Sequence, residues 1–210
     1  MQRLGVLEEE NQAYKEQLGN LTDRIRTDSV DIGFQPSYQY IHASVVEKQI
    51  FEANNYLILN KGSNDSIKED MAVVSAKGIV GVVLKVTPRF SRIIPVINPE
   101  FRPTCMIKST HFFGTLYWDG KDPRYATLSR LPGHASYTIG DTIVTSGYSA
   151  IFPQGAYVGV VEDAYKQKNE EYNSLKIRLF TDFSTLTEVF IIRYLLQDER
   201  NEIQKGGSQE

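Results

Sequence analysis

From Tyr40 to Ile192 the chain never sustains the apolar period of a long helix; it breaks into short β-rich runs separated by turn signals. That feature removes most folds from consideration, because βαβ units need helical stretches of about 10–15 residues between their strands. The runs are Tyr40–Val46, Asn55–Leu59, Ala72–Ser75, Ile79–Val86, Ser91–Ile97, Pro103–Lys108, Phe113–Trp118, Ala126–Leu128, Thr142–Thr145, Gly155–Val161, Leu175–Phe180 and Thr187–Ile192. About twelve short strands exceed what one small barrel holds, so the expected class is all-β with two small barrels. The first is expected over 39–98 and the second over 99–182, with a closing strand over 183–194. A return of that strand to the first barrel is one option that the sequence leaves open. Phe183–Leu186 suggests a short helical turn, and the polar stretch 195–210 suggests a disordered tail. Gly78–Val83 and Gly155–Val161 look alike, each placing a glycine inside an apolar strand, where bulges and tight barrel corners are made.

Residues 1–28 follow a different rule. Leu4, Asn11, Leu18 and Ile25 occupy a positions of a heptad, and Leu7, Tyr14 and Leu21 occupy d positions. In a parallel, in-register pair, Arg3 meets Glu8 of the partner helix and Glu10 meets Lys15, each with opposite charge. Asn11 is the kind of buried polar a residue that fixes register and favours a dimer. The expectation is a homodimeric coiled coil, against the plainer alternative of an amphipathic helix packed on its own domain. Gly33 and Pro36 break the pattern, making 29–38 a linker.

Composition narrows the function. The formal net charge is −3, without the basic surplus of a nucleic-acid binder. The best apolar stretch, Gly78–Leu84, falls far short of the ~20 residues of a membrane helix. Met1–Leu4 shows no basic and apolar signal-peptide pattern. The single cysteine, Cys105, excludes an intrachain disulfide and a cysteine-rich zinc site. His42, His111 and His134 lack metal-ligand spacing, and no phosphate-cradling glycine loop is present, so no metal or cofactor is expected. Double barrels can carry a Ser-His-Asp triad. However, Ser146 lacks the glycine just upstream that shapes an oxyanion loop, and neither His42 nor His134 makes a convincing base. The adjacent carboxylates Glu69-Asp70 and Glu170-Glu171 single out no glycosidase site. The chain is therefore expected not to be an enzyme. A ligand-binding β module, with tyrosine and tryptophan faces stacked on sugars, is a competing reading, and a serine hydrolase a weaker one.

Two stretches carry a family pattern. One is Asn55-Tyr56-Leu57-Ile58-Leu59-Asn60-Lys61-Gly62-Ser63, followed by Asp70–Ser75 and Gly78-Ile79-Val80-Gly81-Val82-Val83. The other runs from Gly140-Asp141 through Thr145-Ser146-Gly147 to Phe152-Pro153-Gln154-Gly155 and Val158-Gly159. With Phe113–Gly120, this order resembles the MreC family of bacterial rod-shape-determining proteins, over essentially residues 1–194. Ser66 and Asp70 depart from it, standing where the family often has glycine. The resemblance implies a helix followed by two barrels, distantly like the chymotrypsin architecture but without its triad. It implies a non-enzymatic, dimeric scaffold in the periplasm that organises the cell-elongation machinery. Implied partners are MreD, the elongation-specific class B penicillin-binding transpeptidase, RodA and, indirectly, MreB. The family also carries a membrane helix before its coiled coil, so this sequence is expected to be the extracytoplasmic part alone. Candidates for the partner surface are Tyr148, Ile151 and Phe152, then Phe112, Phe113, Tyr117 and Trp118, of which Trp118 is expected in the core.

Overall fold

The computed structural model describes residues 38–52, 54–148, 151–165 and 172–196. The seam Leu4, Leu7, Asn11, Tyr14, Leu18, Leu21 and Ile25, and the charge pairs of Arg3, Glu8, Glu10 and Lys15, lie outside the described residues.

The described strands are β1 (Tyr38–Gln49), β2 (Tyr56–Leu59), β3 (Ala72–Val74), β4 (Ile79–Val86), β5 (Ser91–Pro95), β6 (Thr104–Ile107), β7 (Phe113–Tyr117), β8 (Tyr125–Pro132), β9 (Thr142–Thr145), β10 (Tyr157–Tyr165), β11 (Tyr172–Leu179) and β12 (Glu188–Tyr194). They close into two antiparallel barrels, ordered β1-β12-β3-β4-β5-β2 and β10-β11-β8-β7-β6-β9. Among the described residues every strand pairs with two others, β1 through Tyr38–Ser44 with β12 and through Val45–Gln49 with β2. β12 pairs with β1 and β3, so the first barrel is completed only after the whole second barrel has been laid down.

Period-two alternation sets which side chains fill each barrel. Leu57 and Leu59 of β2, Ala126 and Leu128 of β8, and Leu175, Ile177 and Leu179 of β11 point inward and are buried. The inward residues of both barrels join in one apolar cluster, which also takes in Phe183 from the β11–β12 connection. Bulges tighten the closure: register shifts fall between Val45 and Glu47, between Tyr157 and Gly159, and between Val161 and Asp163.

Phe183–Leu186 forms a turn, not the expected helical turn. The Asp182 carboxylate accepts hydrogen bonds from the Ser184 N–H (3.0 Å) and the Thr185 hydroxyl (2.9 Å). A short acidic side chain bonded to the backbone ahead of it favours a turn over a helix interior.

The two positions at which the resemblance implies glycine have a conformational meaning. Ser66 and Asp70 both adopt the left-handed region, with φ of 64° and 66°. Ser66 ends the single 3-10 turn, Ser63–Asp65. A side chain in this conformation costs about 1 kcal/mol that glycine avoids. Ser66→Gly is therefore expected to stabilise the chain by about 0.5–1 kcal/mol, read as a higher urea midpoint at unchanged slope.

Candidate partner-binding surface

The loop after β9 is built from its hydroxyls. The Thr145 hydroxyl donates to the Pro153 carbonyl (2.6 Å) and accepts from the Ala156 N–H (2.9 Å). The Ser146 hydroxyl donates to the Thr104 carbonyl (3.0 Å) and accepts from the Tyr148 N–H (3.3 Å). Gly147 has φ of 76°, and a Cβ there would lie 2.8 Å from Cβ of Gln154. Gly147 thus sits close against Gln154, and Tyr148 is 69% exposed. Its ring centroid lies 4.9 Å from that of Phe113, the first residue of β7, itself 37% exposed. An exposed aromatic pair offers a large apolar area at little cost in side-chain entropy, which is why such rings anchor protein interfaces.

The other candidates divide. Ile151 is half-buried. Phe152 is a correction to the expected surface: it is 3% exposed, with its ring 6.2 Å from Phe101 in the β5–β6 connection. Phe152 thus joins the core, whereas Tyr148 is exposed. Trp118 is buried, and its Nε1–H donates to the Asp122 carbonyl (3.0 Å). Phe112 meets His134 edge-on, and Tyr117 lies under the Arg102 guanidinium. Of the candidates, Tyr148 pairs with Phe113 at the surface, while Ile151 packs partly buried against the core. What the sequence reading missed is that Phe113, one among several aromatics, pairs with Tyr148 across β6.

The groups considered for catalysis are engaged elsewhere. The Ser146 hydroxyl serves the loop, as above. His42 Nε2 lies 2.6 Å from a Glu188 carboxylate oxygen on the first barrel, and His134 packs on Phe112. Burial pushes the Cys105 thiol up to about 12, far from a reactive thiolate. The Arg124 guanidinium holds the Asp122 carboxyl below its ordinary range, fixing the turn that caps Trp118. Among the described residues, no group of three or more His, Cys, Asp or Glu could hold a metal ion. Also among them, no helix is long and apolar enough to cross a membrane.

By fold, the described chain is a tandem of closed antiparallel β-barrels, in which loops and outward strand faces are what meets other molecules. Residues 45–193 match the family described as rod shape-determining protein MreC, barrel core, and the chain belongs to that family. The cell shape-determining protein MreC of Listeria monocytogenes is 26% identical over 190 residues, covering 89% of this chain and 61% of that protein. Its Escherichia coli counterpart is 26% identical over 125 residues, covering 60% of this chain and 34% of that protein. The matches thus span less than two thirds of the length of these relatives. Among solved structures, Listeria MreC superposes with a TM-score of 0.70 at 24% identity, over 92% of this chain and 91% of that one. The MreC of a Helicobacter pylori complex with penicillin-binding protein PBP2 gives 0.61 at 18% identity, over 75% and 98%. At these identities the likeness shows the fold alone.

Proposed function

We propose that the chain is the periplasmic part of a cell-shape scaffold, non-enzymatic, which gathers peptidoglycan-elongation enzymes through its barrels and dimerises through its heptad helix. The observation that carries this reading is the match of residues 45–193 to the barrel core of the rod-shape family. The exposed pair Phe113–Tyr148 supports it by supplying a surface suited to a protein partner. The partner proposed first is the elongation-specific class B penicillin-binding transpeptidase, since a Helicobacter pylori relative has been solved with PBP2. MreD, RodA and, through them, MreB are proposed as partners at the membrane, reached through a helix ahead of the coiled coil. The kinship with the chymotrypsin architecture belongs to this proposal too, and rests on two closed six-stranded antiparallel barrels. The direct test is titration of the chain against the extracytoplasmic part of the transpeptidase from the same organism. Saturable binding supports the reading, and none at high micromolar concentration overturns its partner assignment.

The seam has its own test. A helix of about 24 residues would hold the barrels about 36 Å from its far end, at ~1.5 Å per residue. Two copies on one axis then bind a paired target with avidity and without new contacts. In sedimentation velocity, the chain is expected to dimerise with rising concentration. Leu18→Asp, which buries a charge in the seam, is expected to weaken the dimer by at least about tenfold. A wild type that stays monomeric throughout removes the coiled coil from the proposal and leaves the barrels.

A further inference from the structure

The two barrels meet at a joint of three parts. The first is the β3–β4 turn of the first barrel. Here the Ser75 hydroxyl donates to the Gly78 carbonyl (3.1 Å) and accepts from the Lys77 and Gly78 N–H groups (3.2 Å each). The second is the start of β10 in the second barrel. Gly78 approaches it so closely that a Cβ would lie 2.7 Å from the Tyr157 carbonyl oxygen. The third is the β11–β12 connection, which is bonded to both barrels by successive residues. The Phe180 N–H donates to the Val158 carbonyl of β10 (3.0 Å). The Thr181 hydroxyl, buried, donates to the Ile79 carbonyl of β4 (2.9 Å) and lies 3.2 Å from the Ser75 hydroxyl. On its outer side the joint opens to a cleft of about 300 Å³ between Lys77 and Gln154, walled by Tyr40 and Tyr157.

We propose that this joint is a built-in angle lock, in which the missing side chain at Gly78 and the Thr181 hydroxyl together fix the orientation of one barrel on the other. The physical argument is the kind of contact involved. An apolar interface tolerates sliding, because the hydrophobic effect has no direction. A buried hydroxyl that donates to a carbonyl of the facing barrel does not, because displacement leaves a buried donor and its acceptor unpaired. The contact at Gly78 is between backbones, so any side chain there must push the barrels apart, and the open cleft gives them room to turn. The consequence is mechanical. β1 belongs to the first barrel and the Phe113–Tyr148 pair sits on the second, so the lock sets how that outward-facing surface is aimed relative to the first barrel. The inference concerns this chain's geometry and stands whether or not the proposed partners are right.

The test is a distance measurement across the joint. Nitroxide labels at Asn64→Cys on the first barrel and Lys121→Cys on the second report the inter-barrel distance by pulsed electron resonance. The labelled full chain is diluted with unlabelled chain to suppress distances between copies. Cys105 is fully buried and does not compete for the label. The chain is expected to give one narrow distribution. Gly78→Val is expected to shift its centre or broaden it by at least about twofold, with far-UV circular dichroism and Trp118 fluorescence unchanged, as for a rigid-body hinge. Thr181→Val, which keeps the shape and removes the hydroxyl, is expected to broaden it as well, and decides the matter should Gly78→Val fail to fold. A broad distribution in the unaltered chain overturns the proposal. So does an unaltered narrow distribution in folded Gly78→Val, or in Thr181→Val.

Discussion

Gly81→Val and Gly159→Val are each expected to lower the stability of the chain by about 3 kcal/mol or more, a large part of the roughly 5–15 kcal/mol that holds a domain together. Valine is among the best strand formers, so propensity alone predicts the reverse. The difference lies in what the new Cβ meets. At Gly81 it would lie 2.1 Å from the Ile94 carbonyl oxygen and 2.7 Å from Cα of Pro95. At Gly159 it would lie 2.3 Å from the Arg178 carbonyl oxygen and 2.8 Å from Cγ2 of Ile177. These neighbours are mainly backbone in paired strands: Gly81 stands opposite Pro95, and Gly159 opposite Leu179. They cannot withdraw without breaking the ladders that close β4 to β5 and β10 to β11. Gly120→Ala is the control. Nothing lies within 4 Å of its Cβ, and only a φ of 84° opposes it, so its cost is expected near 1 kcal/mol. Urea unfolding followed by Trp118 fluorescence measures all three. A loss below about 1 kcal/mol for either valine variant would refute the close-packing account.

These glycines also mark how much the sequence discloses. Both stand out in it as glycines inside apolar strands, and the structure gives the reason: another backbone passes there. Strand positions are local properties, set by alternation and bounded by turn residues, which is why Ile79–Val86 and Thr142–Thr145 have the same limits in sequence and structure. β8 runs on to Pro132, past the expected Leu128, because Arg130 takes a φ of 60° and lets the strand bend and continue. No local signal encodes this. Pairing of β12 with β1 and β3 is non-local in the same way, since many arrangements satisfy the same alternation. At the candidate surface, the aromatic-rich loop is visible in the sequence, but its inside and outside are not. Tyr148 is exposed and Phe152 buried, a difference set by non-local packing such as the close approach of Gly147 to Gln154 beside the paired β9 and β10. The reading that Ser66 and Asp70 break a family glycine pattern carries physical content for the same reason: both positions demand a positive φ.

Tyr148→Asp is expected to weaken binding of the class B transpeptidase by at least about 30-fold, close to 2 kcal/mol, while leaving the fold intact. The tyrosine is 69% exposed and packs on Phe113, so its loss leaves little cavity in the free protein. In a complex the same position would carry a carboxylate into an apolar contact, where an unpaired charge is strongly disfavoured. Phe113→Asp should act in the same direction and be less than additive with Tyr148→Asp, because the two rings form one patch and the second substitution removes contacts already lost. Tyr148→Phe should retain most of the affinity if ring area drives the contact. Phe51→Asp is the matched control: it is 78% exposed but belongs to the first barrel, just after β1, and should leave binding unchanged. Isothermal titration on the four single variants and the Tyr148→Asp/Phe113→Asp double variant separates the cases. Equal losses for Tyr148→Asp and Phe51→Asp would point to a general effect of surface charge. A loss at Phe51 alone would move the docking surface to the first barrel. In neither case could the aromatic pair remain the anchor. If the pair is the anchor, added salt should also change the affinity little, since an apolar contact is not screened as exposed charge pairs are.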